Sequence, residues 1–159
     1  MEQQIAFLRM IEDEFRELRD YITPLLNDHP NGPDYRVASA VHRALDLTTI
    51  ITYGRIFKRN HGFETAKVEL EPIVAAYTAE QRTLHEELLR ARDQEYAHSD
   101  AGPNDITFYR DGPFMVSRRV IRMPLNHDQL RMLQNMVGVG LRVAIERRES
   151  LEKVFRAAT

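Results

Sequence analysis

The sequence predicts an all-α protein: an up-down helical bundle of four long helices, with a small β-hairpin inserted before the last helix. Two observations predict this class. Over four long stretches the apolar residues recur every three or four positions, which is the spacing of one helix face. Residues 106–121 depart from this period. They predict two strands, at 106–110 and 114–121, around the turn Asp111-Gly112-Pro113.

The first two helices are predicted from their apolar positions. In residues 3–28 these are Ile5, Leu8, Ile11, Phe15, Leu18, Ile22 and Leu25. A kink or break is expected at Pro24, because proline has no N–H to donate within a helix. Residues 29–33 end this helix. A second helix is predicted from about residue 34 to 58, with apolar positions at Val37, Val41, Ala44, Leu45, Ile51, Ile56 and Phe57.

The middle of the chain contains two further helix starts. A short helix is expected near residues 68–76, because Pro72 is suited to a first helical turn. Thr78 and Gln81 have the spacing of a capping box, in which each side chain binds the backbone N–H of the other residue. They predict the start of a third long helix, which runs to about His98.

The last helix is predicted to begin after a second capping box, formed by Asn126 and Gln129, and to run to about Arg156. Gly138 and Gly140 lie inside it. Each weakens the helix by roughly 1 kcal/mol relative to alanine. Their presence therefore predicts a close helix contact or a bend at this place.

Length and composition indicate a single domain over residues 1–159, since 43% of the 159 residues are hydrophobic and 29% are charged. The absence of cysteine excludes disulfides, thiolate metal sites and cysteine nucleophiles. No stretch approaches the roughly 20 apolar residues that cross a bilayer, and Met1–Gln4 lacks the basic start of a signal peptide. We therefore expect a cytoplasmic protein that does not associate with a membrane.

The net charge of −2 conceals an uneven distribution. Residues 101–159 contain ten basic and six acidic side chains, and 19 of the 22 basic residues in the chain are arginine. Arginine is the better bidentate ligand for phosphate or carboxylate. Ordinary salt-bridged surfaces explain the same composition equally well.

Most catalytic motifs are absent, including a phosphate-binding glycine loop and the His-Glu-x-x-His metal motif. One Glu-x-x-His pair occurs, at Glu95 and His98. A di-iron site in a bundle needs two such pairs, so we assign no metal, although a carboxylate and histidine metal enzyme remains an alternative. The other five histidines (His29, His42, His61, His85 and His127) are expected to be surface or hydrogen-bonded structural residues.

The end of the third predicted helix contains an unusual concentration of charged and potentially catalytic side chains. Residues 92–100 read Arg-Asp-Gln-Glu-Tyr-Ala-His-Ser-Asp, so a permanent cation, carboxylates, an imidazole and a hydroxyl lie within nine positions. A charged last turn with a histidine near the helix carboxyl end is the simplest structural interpretation, because a cationic imidazole is favoured there.

The same segment resembles the signature of HEPN domains (higher eukaryotes and prokaryotes nucleotide-binding), in which an arginine precedes a histidine by four to six positions on a bundle helix. It is close to the branch found in abortive-infection proteins of the U type, which residues 53–57 (Tyr-Gly-Arg-Ile-Phe) also resemble. The resemblance implies a homodimer without a cofactor and, in active branches, a metal-independent endoribonuclease of toxin or phage-defence type. It further implies RNA as substrate and a cognate antitoxin or nucleotidyltransferase as partner.

The chemistry of RNA cleavage agrees with these residue types. Attack of the ribose 2′-hydroxyl on the adjacent phosphate needs a proton acceptor and donor near neutral pH, and histidine is suited to this role. It also needs a cation for the charge that develops on the phosphoryl oxygens, and arginine is suited to that. We therefore predict His98, Arg92 and Asp93 as the catalytic residues, with Ser99 and Arg90 as substrate ligands.

The spacing of the motif restricts its geometry. Six positions on one helix separate Arg92 and His98 by about 120° around the axis and about 9 Å along it. Either the helix ends before His98, or two copies of the motif meet across a symmetric dimer. Some relatives carry a tyrosine two positions after the histidine, used in control by a nucleotidyltransferase, whereas this chain has Asp100. The rival hypothesis is a non-catalytic dimeric helical binding module, in which Arg92, Asp93 and His98 form a polar network.

Overall fold

The structure, a computed structural model, describes residues 1–28, 39–57, 70–99, 106–111, 114–119 and 124–158. Its elements are α1 (Glu2–Asp28), α2 (Ala40–Phe57), α3 (Glu71–Ala75), α4 (Ala79–Ser99), β1 (Ile106–Asp111), β2 (Phe114–Arg119) and α5 (His127–Ala157). The four long helices form a bundle, and α3 is the short helix predicted from Pro72. The strands β1 and β2 pair antiparallel, with Phe108 opposite Ser117. None of the described helices combines the length and the apolar character needed to cross a membrane.

Both predicted capping boxes are confirmed. At the start of α5 the Asn126 side chain accepts a hydrogen bond from the Gln129 N–H (2.9 Å), and the Gln129 side chain accepts one from the Asn126 N–H (3.1 Å). Thr78 and Gln81 make the same reciprocal pair before α4, at 3.2 Å and 3.0 Å. These bonds satisfy N–H groups that have no partner within the helix, and they fix where each helix begins.

The centre of the bundle lies between α1 and α5, which run antiparallel. Arg9 near the start of α1 pairs with Glu152 near the end of α5, and Phe15 packs against Gly140. All seven predicted apolar positions of α1 are buried, and they meet a buried face of α5 that includes Leu130, Leu133, Met136, Val137 and Ala144. The break predicted at Pro24 does not occur, because α1 continues through it to Asp28, with Leu25 fully enclosed in the core.

The two glycines of α5 differ in their surroundings. A Cβ atom on Gly140 would overlap the Phe15 ring, so this glycine permits the close helix contact that the sequence predicted. Gly138 has nothing within 4 Å of that position, so it makes no such contact. The close approach of α1 and α5 therefore depends on Gly140 alone of the two.

The buried face of α2 differs from the predicted one. Val41 is 68% exposed, whereas His42, Asp46, Thr49 and Thr52 are buried. The residues at 34–38, where the sequence predicted the start of this helix, lie outside the described residues. A buried carboxylate needs hydrogen bonds, and Asp46 accepts one from the Leu125 N–H at 3.0 Å. Asp46 thereby joins α2 to the start of α5.

Candidate functional site

Arg92 lies on the side of α4 that packs against α2. A Cβ atom placed on Gly54 of α2 would lie 2.6 Å from Arg92 Cγ and 3.0 Å from Arg92 Cβ. Ordinary carbon contacts are roughly 3.5–4.0 Å. The aliphatic part of Arg92 therefore occupies the space that any other residue at position 54 would need for its side chain.

Part of Arg92 reaches the protein surface, since 24% of its side chain is exposed, while its Nε atom is buried. Its Nη1 atom donates a hydrogen bond to Asp93 Oδ1 at 3.2 Å, and 48% of the Asp93 side chain is exposed. Two of the three residues predicted as catalytic are thus in contact. The carboxylate can orient the guanidinium, and it also neutralises part of the positive charge that RNA would meet.

The other predicted site residues lie along the same helix. Arg90 is exposed on α4. His98 and Ser99 belong to its last turn, and their side chains lie outside the described part of the chain. Because α4 continues through His98 to Ser99, the helix does not end before the histidine, and the first of the two predicted arrangements is wrong. Arg92 and His98 are therefore separated by about 120° and about 9 Å on one helix.

A buried cluster of rings fixes α2 to α4 within two turns of Arg92. It consists of Tyr53 and Phe57 from α2, Tyr77 before α4, and His85 on α4, and we call it the aromatic cluster. The His85 ring meets Phe57 edge to face with centroids 4.6 Å apart, and His85 Nδ1 is hydrogen-bonded to the Tyr53 hydroxyl at 2.8 Å. Because Gly54 follows Tyr53 directly, the aromatic cluster determines the approach of α2 to Arg92.

Burial controls the ionisation of the aromatic cluster. It lowers the pKa of His85, although Glu86 nearby opposes the shift. Burial also raises the pKa of Tyr53 far above its ordinary value. His85 is therefore neutral and Tyr53 protonated at neutral pH. The prediction that His85 is a hydrogen-bonded structural histidine is confirmed. His42 is also buried and His127 half-buried, whereas His29 and His61 lie outside the described residues.

Sequence reasoning missed the role of Gly54. The sequence of residues 53–57 shows only a resemblance to a family branch, and it predicts no function for Gly54. A usable signal was present, because a glycine inside a helix is unfavourable unless a neighbour needs its space. Only the packing of α2 on α4 identifies that neighbour as Arg92.

Among the side chains that the structure describes, no group of three histidine or acidic residues is arranged to hold a metal ion. Glu95 and His98, which carry the Glu-x-x-His pair, lie outside that set. Comparisons of the chain with protein-family models, with curated proteins and with solved structures gave no match.

Proposed function

We propose that the protein is a cytoplasmic, metal-independent endoribonuclease of the HEPN type that acts as a homodimer in toxin or phage-defence function. His98 would serve as the general acid and base, and Arg92 would bind the reacting phosphate. Asp93 would orient Arg92, while Ser99 and Arg90 would contact the RNA. The observation that carries this proposal is the placement of Arg92, whose stem is fixed against Gly54 while 24% of its side chain stays exposed.

A fixed guanidinium is what this chemistry requires. Charge develops on the phosphoryl oxygens in the transition state, and a donor already in position stabilises that charge without reorganising. The stem of Arg92 is confined by α2, and its Nη1 atom is further restrained by Asp93. An arginine on a solvated surface without these contacts would lose rotamer entropy on binding phosphate. Its packing therefore supports a binding role for Arg92.

The continuity of α4 supports a dimeric site. Since Arg92 and His98 lie on one uninterrupted helix, a single copy separates them by about 9 Å along the axis. A two-fold axis near the end of α4 would place Arg92 of one copy beside His98 of its partner. Two copies of Arg92 and Arg90 would then share one cleft with two copies of Asp93, and this excess of positive charge would favour RNA.

The test is cleavage of mixed single-stranded RNA by the purified protein in excess EDTA. We expect His98→Ala and Arg92→Ala each to reduce the rate by about 10²- to 10⁴-fold, because each removes one acid-base or electrostatic contribution. Arg142→Gln is the matched control, since Arg142 is an exposed arginine on α5. It should cleave at the wild-type rate. Equal cleavage by wild type and His98→Ala would refute the proposal and reveal a contaminating nuclease.

A second candidate function rests on the Arg92–Asp93 ion pair. An arginine that already contacts a carboxylate at 3.2 Å is also suited to a polar network in a non-catalytic dimeric binding module. That function predicts no cleavage by the wild type. It further predicts that Asp93→Asn weakens dimerisation, as measured by analytical ultracentrifugation, whereas the ribonuclease predicts an unchanged dimer.

A further inference from the structure

A polar groove lies between the carboxyl end of α1 and the amino end of α5, far along the chain from Arg92. Its volume is about 580 Å³, within the range of small-molecule sites. We call it the α1–α5 groove. Apart from one leucine, its lining consists of Thr23 and Asn27 from α1 and His127, Arg131, Gln134 and Asn135 from α5.

The charge of this lining has one sign. Among the side chains that the structure describes, no carboxylate lines the α1–α5 groove, and Arg131 forms no ion pair. The larger groove, of about 880 Å³ near the opposite ends of α1 and α5, is different. Five carboxylates line it, and four of them bind arginines, as in the pairs Glu14–Arg55 and Glu152–Arg9. Its lining also includes Arg156, but an anion there would meet several carboxylates, whereas the described lining of the α1–α5 groove has none.

We propose that the α1–α5 groove binds the phosphate group of a ribonucleotide, with Arg131 as the principal ligand. The guanidinium fork matches two phosphate oxygens. The side-chain amides of Asn27, Gln134 and Asn135 add neutral donors and acceptors, and His127 adds ring nitrogens, which are suited to a sugar or base rather than to an apolar body. Such a site is independent of the proposed ribonuclease.

The dipoles of the two helix ends do not by themselves make the α1–α5 groove favour an anion. The amino end of α5 favours an anion, whereas the carboxyl end of α1 on the other side of the groove disfavours one. Asp128 is exposed on the first turn of α5, but it does not line the groove. The net attraction must therefore come from Arg131, and removing that charge should remove the affinity.

The experiment is isothermal titration calorimetry of the full chain with three probes: inorganic phosphate, adenosine monophosphate, and a short 2′-O-methyl RNA. The RNA cannot be cleaved through its 2′ position, so binding is measured apart from any nuclease activity. We expect Arg131→Gln to weaken binding by at least about tenfold, the effect of one charge-assisted hydrogen bond. Arg142→Gln, which removes an exposed arginine outside the groove, should leave affinity unchanged.

The probes also identify the source of the phosphate. A larger loss of mononucleotide affinity than of RNA affinity in Arg131→Gln indicates a free nucleotide, and the reverse indicates an RNA segment, because this change leaves RNA binding at the proposed Arg92 site intact. Asn135→Leu, which replaces a donor with an apolar group, should weaken binding as well and provides a second variant. Equal affinities of wild type and Arg131→Gln, equal losses in Arg131→Gln and Arg142→Gln, or no binding of any probe up to about 10 mM would each overturn the proposal.

Discussion

The contact between Gly54 and Arg92 can be tested by adding a single methyl group. In Gly54→Ala the new Cβ would lie 2.6 Å from Arg92 Cγ, 3.0 Å from Cβ and 3.1 Å from Cδ. These three atoms belong to the part of the side chain nearest the α4 backbone, which cannot simply swing away. Either Arg92 changes rotamer, or α2 and α4 move apart by about 1 Å to restore ordinary carbon contacts.

The expected change in the free energy of unfolding of Gly54→Ala is the difference between two effects. Overpacking a close contact costs about 1–3 kcal/mol, while alanine in place of glycine stabilises a helix by about 1 kcal/mol. Gly54→Ala alone should therefore lower the free energy of unfolding by up to about 2 kcal/mol. In the Arg92→Ala background the contacts with Cγ and Cδ are gone and only the 3.0 Å contact with Cβ remains. The same change should then be nearly neutral or stabilising, which gives a coupling energy of about 1–2 kcal/mol.

Urea denaturation of the wild type, the two single variants and the double variant measures this coupling. Gly138→Ala provides the control in both backgrounds, because nothing lies within 4 Å of its new methyl group and its effect should be additive. A coupling below about 0.5 kcal/mol would mean that the Arg92 stem does not lie against Gly54. The structural basis of the proposed phosphate ligand would then be wrong. If the protein is a ribonuclease, Gly54→Ala should also reduce cleavage, since a displacement of about 1 Å at a reacting centre can cost about 10²-fold in rate.

Three other predictions concern stability measured by denaturant or heat. Burial lowers the pKa of His85 in the folded state, so the native state binds fewer protons than the unfolded chain. The free energy of unfolding is therefore fully present above about pH 6.5. It falls as the pH decreases toward the folded-state pKa, by at most about 1.4 kcal/mol per pH unit. His85→Gln should remove this slope, and an identical slope would contradict the assignment. Gly140→Ala should lower the free energy of unfolding, because its methyl group would overlap the buried Phe15 ring. Gly138→Ala should raise it by about 1 kcal/mol. Effects of the same sign would contradict this packing. Asp46→Ala should lower the free energy of unfolding by about 1–3 kcal/mol, because it leaves the buried Leu125 N–H without its acceptor. Asp46→Asn keeps an acceptor oxygen and should lower it by less.

The helices could be predicted because their signals are local. Apolar spacing gave the buried face of α1, and reciprocal side-chain bonds gave the starts of α4 and α5. Of the kink or break expected at Pro24, the break does not occur, because the sequence does not show how firmly the surrounding core holds the helix. Leu25, the next residue, is almost completely buried, and packing on both sides of a proline can offset the lost hydrogen bond.

The face of α2 could not be predicted from hydrophobicity, because part of it is polar. Counting apolar residues selects Val41, which is exposed, and overlooks Asp46, which is buried. The carboxylate is stable there because it accepts the N–H of Leu125, a residue 79 positions away. A partner so distant in sequence becomes visible only when the chain is folded. The same is true of Gly54 and Arg92, which lie on different helices.

Complementation between inactive variants would decide whether the proposed catalytic residues come from one copy or from two. Arg92→Ala and His98→Ala, refolded together in equal amounts, should form mixed dimers as half of the population. If Arg92 of one copy works with His98 of its partner, each mixed dimer contains one intact site of two, and activity should return to about a quarter of the wild-type rate. If both residues act within one copy, no mixed dimer contains an intact site and activity stays at the level of the single variants. Because six helical positions hold Arg92 and His98 about 9 Å apart along α4, we expect the recovery, and its absence in a verified mixed dimer would refute a shared site.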